Sequence, residues 1–207
     1  MATRDPEATR SHILQSAYRA VYEQGLSATS LDQVLARAGV TKGALYHHFA
    51  GKKELGCALV GEVLAPLILA EWVEPLRTTN DPIGALQELL RRQASLPRED
   101  VIRFGCPLNN LAQEVSSLDE ELRGRLEDVF ARWVGALRDA LARGQGAGTV
   151  RADLDPERAA RFVVGAIEGA ISLAKVGRDG AVLRGSLEEL AAYLGTLRPA
   201  KASRKKR

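Results

Sequence analysis

The chain has 207 residues, 45% of them hydrophobic and 27% charged, which is the composition of an ordinary globular protein with a buried core. Its formal net charge of +3 is unevenly placed, because residues 1–55 and 198–207 are basic and the stretch between them is acidic. Basic ends around an acidic middle indicate a nucleic-acid-binding part joined to a body with another task.

The sequence shows no feature of a secreted or membrane-spanning chain. Residues 1–6 lack the apolar segment of a secretory signal. The longest apolar run, residues 63–70, is interrupted by Pro66 and is short for a membrane span. Cys57 and Cys106 form no C-x-x-C motif, which favours reduced thiols. We therefore expect a cytoplasmic protein with no membrane partner, no metal and no cofactor.

The first predicted helix begins at Pro6, since proline suits the first helical position, and ends at Gly25. Its apolar stripe is Ile13, Leu14, Ala17 and Val21. A second helix of about eight residues begins after Ser30, which forms a capping box with Gln33. Its apolar stripe is Leu31, Val34, Leu35 and Ala38. Gly39 then suits the left-handed position that ends a helix.

Thr41 is predicted to cap a third short helix whose two faces differ in kind. Successive residues lie about 100° apart around a helix, so Leu45, His48 and Phe49 share an inner face. The outer face carries Lys42, Gly43, Tyr46 and His47. Two short helices joined by a tight turn, the second presenting basic, aromatic and small residues, indicate a helix-turn-helix for the major groove of DNA.

Lys52 and Lys53 stand at the predicted start of the fourth helix, where basic residues oppose the helix dipole. This placement is favourable when a phosphate binds, because free N–H groups and ammonium groups together attract an anion. The two lysines therefore extend the predicted DNA-binding surface beyond the third helix.

This N-terminal quarter of the chain resembles the tetracycline-repressor (TetR) family of bacterial regulators. The residues that carry the resemblance are Ala28–Ser30, Ala36–Val40, Thr41–Phe49 and Lys52–Leu55. The turn, the Leu-Tyr-x-His-Phe run and the lysine after it keep the family spacing. The resemblance implies contacts to the DNA backbone by Thr29, Thr41, Tyr46 and Lys52. It implies approach to the bases by Lys42, Gly43, Ala44 and His47.

The rest of the chain has helical periodicity and no strand-like alternation, so the predicted fold is all-α. A three-helix DNA-binding domain is expected at residues 1–51, and an all-helical regulatory and dimerisation domain at 52–198. The fourth helix, which starts at the DNA-binding domain, should be kinked at Pro66. A loop is expected at 97–105, and the basic tail 199–207 should be disordered.

The segment after Asp155 and Pro156 is apolar nearly all round, which does not suit a surface helix of a monomer. With the last helix, it is predicted to pair with its copies across a twofold axis in a homodimer. The residues expected at this interface are Gly165, Gly169, Leu187, Leu190 and Leu194. A dimer also suits a palindrome, whose half-sites lie about 34 Å apart.

Helices that enclose an apolar space make a small-molecule effector the default expectation for the body. Its candidate walls are Trp72, Phe104, Trp133 and Phe162. Cys106 has a sharper interpretation, because it precedes Pro107 at a predicted N-cap, where the helix dipole favours the reactive thiolate. Lys175 is a candidate partner in such sensing. The alternative is a packed cysteine, with a lysine that complements a helix C-terminus.

The leading functional interpretation is a homodimeric repressor that releases a palindromic DNA operator when the body binds an effector or is modified at Cys106. An activator role stays open. A sequence-indifferent DNA-packaging protein using the basic ends is one alternative. An enzyme is another, but the sequence has no H-E-x-x-H motif, no glycine-rich phosphate loop and no nucleophile paired with a base.

Overall fold

The computed structural model describes residues 5–95 and 98–200, and within these ranges every regular element is helical, which confirms the all-α prediction. The helices are α1 (Pro6–Gln24), α2 (Leu31–Ala38), α3 (Lys42–His48), α4 (Lys52–Leu59), α5 (Ala65–Trp72), α6 (Pro82–Ser95), α7 (Glu99–Phe104), α8 (Pro107–Val115), α9 (Glu120–Gly146), α10 (Pro156–Gly177) and α11 (Gly180–Gly195). A π-helical turn (Val60–Leu64) joins α4 to α5, and a 3-10 turn (Glu74–Leu76) follows α5. The predicted disordered tail lies outside the described residues except for its first two.

By packing, the chain divides into two compact units. The first contains the described residues up to Ile68 together with Cys106–Phe130, and the second contains those of Leu69–Gly105 and those from Ala131 onward. Helices α1–α4, α8 and the beginning of α9 therefore belong to the first unit. The three N-terminal helices thus share this unit with α4 and α8. The predicted domain boundary at residue 52 stays a prediction.

The first unit is organised around α1, which packs against α2, α3 and α4. The carboxylate of Asp5 accepts the backbone N–H of Glu7 at 3.0 Å, and Pro6 takes the first helical position. On the inner face of α1, Ile13 and Ala17 are fully buried. Burying an isoleucine side chain contributes about 2 kcal/mol, so this face helps to hold the short helices around it.

Pro66 does not end the helical segment that begins at Lys52. A proline lacks the N–H that would bond the carbonyl one turn earlier, so a regular α-helix is disturbed there. The chain accommodates this with the π-helical turn, in which the N–H of Ala65 donates to the carbonyl of Val60, five residues earlier. At the predicted kink the structure therefore has a change of helix type.

Because the helix continues through Pro66, the segment Lys52–Leu76 is long and apolar enough to cross a membrane by length and composition alone. The sequence prediction considered only the run 63–70 and is corrected on this point. Half of the most apolar window of the segment is buried inside the protein, as in a core helix, and a core helix passes the same test.

In the second unit, α11 packs against both α6 and α10. Leu187, Leu190 and Leu194 of α11 are buried and belong to the core of this unit. The buried rings of Trp72 and Trp133 stack with their centroids 5.4 Å apart. The two tryptophans, predicted to line a pocket, thus fill part of this core.

The loop predicted at residues 97–105 contains the helix α7 instead, so this prediction was wrong. Glu99 and Asp100 lie in the first turn, where acidic side chains complement the helix dipole. Gly105 then ends the helix with a φ of 86°. A helix of six residues is too short for hydrophobic periodicity to reveal it.

Candidate nucleic-acid interface

Two caps determine where α2 and α3 begin. The side chain of Ser30 accepts the N–H of Gln33 at 3.1 Å, and the side chain of Gln33 accepts the N–H of Ser30 at 2.7 Å, which confirms the capping box. At the start of α3, the hydroxyl of Thr41 accepts the N–H of Ala44 at 3.2 Å. Each cap satisfies a backbone donor that the helix leaves unpaired and contributes about 1 kcal/mol.

The turn between α2 and α3 depends on the backbone conformation of Gly39. Its φ of 60° and ψ of 31° are left-handed, and its N–H donates to the carbonyl of Leu35. Nε2 of His12, from α1, lies 2.9 Å from the carbonyl oxygen of Ala38, to which it donates. The end of α2 is therefore fixed both by its own backbone and by a side chain of α1.

Helix α3 has one buried face and one exposed face, as the sequence predicted. Leu45 is fully buried, and the adjoining Phe49 is buried beneath the guanidinium group of Arg10, 4.9 Å from the ring centre. On the outer face Tyr46 is 46% exposed, and Nζ of Lys42 lies 5.9 Å from the centre of its ring. The basic and aromatic groups are thus presented together.

The other outer residues of α3 leave space for a ligand. Thr41, Gly43 and His47 are exposed, and Ala44 is half-buried. A Cβ added to Gly43 would meet nothing within 4 Å. The ring of His47 meets that of His48 edge-on, with 5.0 Å between their centroids. The N-terminal half of the outer face is therefore the least bulky part of the helix.

Thr29 and Lys52 are placed differently from the other predicted DNA contacts, because their side chains donate to backbone carbonyls of the turn between α1 and α2. Thr29 is 3% exposed, and its hydroxyl donates to the carbonyl of Gly25 at 2.7 Å. Nζ of Lys52 donates to the carbonyl of Ser27 at 2.7 Å. Both side chains therefore bind the turn between α1 and α2 in this structure.

Glu114 of α8 binds the same turn, and no local feature of the sequence indicated it. Its carboxylate accepts the N–H of Leu26 at 2.9 Å and the N–H of Ser27 at 2.5 Å. Burial raises the pKa of this carboxyl, but the hydrogen bonds from Ser27 and Leu26 and the charge of Lys52 outweigh burial and leave the pKa below its ordinary value. The carboxylate is therefore ionised at neutral pH.

Lys53 faces two acidic residues, although the sequence grouped it with Lys52 as a phosphate ligand. Its Nζ lies 3.2 Å from a carboxylate oxygen of Asp119 and 3.2 Å from one of Glu121.

Burial, and then the negative charge of Glu121, raise the pKa of the Cys57 thiol. Cys57 thus has the environment of a small packed side chain and not of a reactive thiolate.

The two residues predicted to sense a signal lie in different units. Cys106 is buried at the N-cap of α8 in the first unit. Lys175 is half-buried in the last turn of α10 in the second unit. A sensing role for Cys106 and Lys175 stays a prediction.

One side of α10 is apolar and yet exposed. Phe162 is 53% exposed, Leu173 is 63% exposed and Val176 is 86% exposed. Gly165 and Gly169 lie on the same side, and a Cβ added to either would meet nothing within 4 Å. These five residues form a continuous stripe at helical spacing, which we call the α10 stripe.

Helix α11 continues the apolar surface beside the α10 stripe. Val182 is exposed, and the ring of Tyr193 meets that of Phe162 edge-on with their centroids 4.9 Å apart. Leu187, Leu190 and Leu194, which the sequence assigned to the dimer interface, are buried within the protomer. The exposed apolar surface of these two helices therefore consists of other side chains.

Two family profiles match most of the chain. Residues 13–58 match the profile described as "Bacterial regulatory proteins, tetR family". Residues 82–190, more than half of the chain, match the profile described as "Tetracyclin repressor-like, C-terminal domain".

Individual proteins and structures show the same similarity. The HTH-type transcriptional repressor DhaR of Mycobacterium sp. (strain GP1) is 28% identical over 177 residues, which cover 82% of this chain and 84% of DhaR. The HTH-type transcriptional regulator LmrA of Bacillus subtilis is 30% identical over 175 residues, which cover 83% of this chain and 88% of LmrA. The crystal structure of a TetR transcriptional regulator from Chloroflexus aurantiacus superposes with a TM-score of 0.80 at 25% identity, covering 93% of this chain and 97% of that one.

Replacement of Gly39 and of Gly43 by alanine should change stability in opposite directions. Gly39→Ala places a Cβ in a left-handed conformation and should lower the free energy of unfolding by about 1 kcal/mol. Gly43→Ala adds a Cβ to a helix in open space and should raise it by about 0.5–1 kcal/mol. Urea unfolding followed by circular dichroism at one protein concentration measures both. Changes of the same sign would contradict the conformation at Gly39.

Proposed function

The chain belongs to the TetR family of bacterial transcriptional regulators, and we propose that it is a repressor that binds a palindromic operator as a homodimer. Helix α3 of each copy enters the major groove, and a signal received by the C-terminal part releases the DNA. The observation that carries the proposal is the outer face of α3, where Lys42, Tyr46 and His47 are exposed together. Location in the cytoplasm, with the operator, is part of the same proposal.

Six of the predicted contact residues are available to DNA in the described structure. They are Thr41, Lys42, Gly43, Ala44, Tyr46 and His47. The major groove is about 12 Å wide, so a helix that enters it needs little bulk near its N-terminus, where Gly43 and Ala44 lie. Lys42 and Tyr46 supply donors for phosphates and base edges. Thr29 and Lys52 contribute indirectly, because their side chains hydrogen-bond to the turn between α1 and α2.

We propose that the α10 stripe and its neighbours on α11 form the dimer interface. A stripe that combines Phe162, Leu173 and Val176 exposes more apolar surface than a monomeric helix normally does. Gly165 and Gly169 let a second backbone approach closely, as small residues do at helix crossings. A twofold dimer carries two α3 helices, as a palindrome with half-sites about 34 Å apart requires.

The signal is proposed to act through the C-terminal part, in either of two ways. A small-molecule effector must bind the conformation that does not bind DNA more tightly, because equal affinity for both conformations shifts no population. Alternatively, an electrophile or oxidant modifies Cys106, with Lys175 as a participant. Burial of Cys106 means that a reagent reaches it only when the start of α8 opens.

The alternatives from other classes receive less support. The matched profiles and the names of both relatives refer to regulators, which does not favour an enzyme or a DNA-packaging protein. Specific binding should also survive an excess of random DNA, whereas packaging should not. Activation in place of repression depends on where the operator lies relative to the promoter.

The combined variant Lys42→Ala, Tyr46→Ala and His47→Ala should bind DNA of the protein's own promoter region at least about a hundredfold more weakly, because each lost contact costs about 1–3 kcal/mol. Fluorescence anisotropy with labelled promoter DNA and excess random DNA measures this. Arg92→Ala, on the exposed side of α6, is the control and should bind like the wild type. Wild-type affinity of the triple variant would refute recognition through α3.

Gly169→Arg should convert the dimer into a monomer, because an arginine on the α10 stripe would have to be buried without a partner when two copies associate. Gly146→Arg is the matched control, since this glycine is also exposed with nothing within 4 Å of an added Cβ. Light scattering after gel filtration gives the molecular mass of each. A dimeric Gly169→Arg protein would place the interface elsewhere.

Alkylation of the purified protein with N-ethylmaleimide should release operator DNA from the wild type and from Cys57→Ser, and not from Cys106→Ser. The reason is that only Cys106 occupies the start of a helix, where a thiolate is stabilised. Anisotropy of the labelled operator follows release. Equal release from Cys106→Ser and wild type would leave the small-molecule route as the mode of signalling.

A further inference from the structure

The backbone of Ser27 is bound by two side chains of opposite charge from two different helices. Its N–H donates to the carboxylate of Glu114 on α8 at 2.5 Å, and its carbonyl accepts a hydrogen bond from Nζ of Lys52 on α4 at 2.7 Å. The second carboxylate oxygen of Glu114 accepts the N–H of Leu26 at 2.9 Å. All of these residues lie in the first unit.

Gly25 makes this arrangement sterically feasible. Its φ of 88° lies in the region that favours glycine. A Cβ at this position would also come within 2.9 Å of an oxygen of Glu114, closer than real Cβ atoms approach other atoms. The turn conformation and the approach of the carboxylate therefore require the same small residue.

We propose that Glu114 and Lys52 are positioning residues for the DNA-binding helices, and that they affect operator binding by fixing the turn that precedes α2. They fix the turn 25–27, which ends three residues before the cap of α2 at Ser30. Because α2 packs against α3, a displacement of this turn also displaces the outer face of α3. Charge-assisted hydrogen bonds are shorter and stronger than neutral ones, which suits a link of this kind. The inference rests on the proposed DNA binding through α3.

Salt dependence separates this role of Lys52 from a phosphate contact. When a lysine that neutralises a phosphate is removed, the slope of log affinity against log salt concentration falls by about one, because one counterion fewer is released. When a positioning lysine is removed, affinity falls and the slope stays the same. Lys42, on the outer face of α3, provides the comparison, since Lys42→Met should lower the slope.

Hydrogen exchange and operator binding together test the proposal. Glu114→Ala and Lys52→Met should each speed amide exchange in the peptide that contains Leu26 and Ser27, and each should weaken binding to promoter DNA about tenfold. Combined, they should weaken binding by less than the product of the two effects, because they bind one turn. Gln113→Ala, the exposed neighbour of Glu114 on α8, is the control and should change neither quantity.

Glu114→Gln guards against a folding defect, because it keeps the shape of the side chain and one of the two acceptors. It should therefore give intermediate exchange and intermediate affinity. Unchanged exchange in Glu114→Ala, unchanged affinity, or a salt slope of Lys52→Met lower by about one would overturn the proposal. If the wild type does not bind DNA of its own promoter region, the proposed function fails. Amide exchange in the turn 25–27 does not depend on DNA binding, so it still tests whether Glu114 and Lys52 fix the turn.

Discussion

The seven-residue helix α3 is a stable element only because its inner face is buried. An isolated helix of this length does not persist in water, since the cost of nucleation exceeds what a few hydrogen bonds return. Leu45 and Phe49 supply the missing stabilisation by packing into the core around α1. The same packing fixes the rotation of the helix about its axis and so directs Lys42 and Tyr46 outward. The burial of the inner face and the exposure of the proposed DNA-binding face are therefore consequences of one constraint.

Those parts of the interface that depend on neighbouring residues could be predicted from the sequence. The pair Ser30 and Gln33, the left-handed Gly39 and the cap Thr41 are local devices, and each was found where expected. The contact of Glu114 with Ser27 joins residues 87 positions apart, and no spacing in a single sequence indicates it. Lys52 illustrates the difference between local and long-range features. Its position at the start of a helix predicted a bound phosphate, whereas in the folded chain its Nζ donates to the carbonyl oxygen of Ser27.

Hydrophobic periodicity predicted how much apolar surface α10 and α11 carry, but it did not predict which side of each helix faces the core. It indicated that α10 and α11 need partners, but a helix that is apolar on most sides does not reveal which side faces its own chain. The leucines of α11 are buried within the second unit, and the side of α10 with Phe162 and Leu173 is exposed. Only the three-dimensional structure shows which apolar side chains of α10 and α11 belong to the core and which are exposed.

The short distance between a Cβ at residue 25 and the carboxylate of Glu114 also has an evolutionary consequence. A side chain at position 25 would meet both a backbone conformation that favours glycine and the carboxylate that holds the turn, so a change at this position also disturbs the hydrogen bonds from Glu114. The outer face of α3 carries no such restriction, because Lys42, Tyr46 and His47 are exposed and a Cβ at Gly43 would meet nothing within 4 Å. The residues on the proposed DNA-binding face of α3 can therefore vary while the support of the helix stays unchanged.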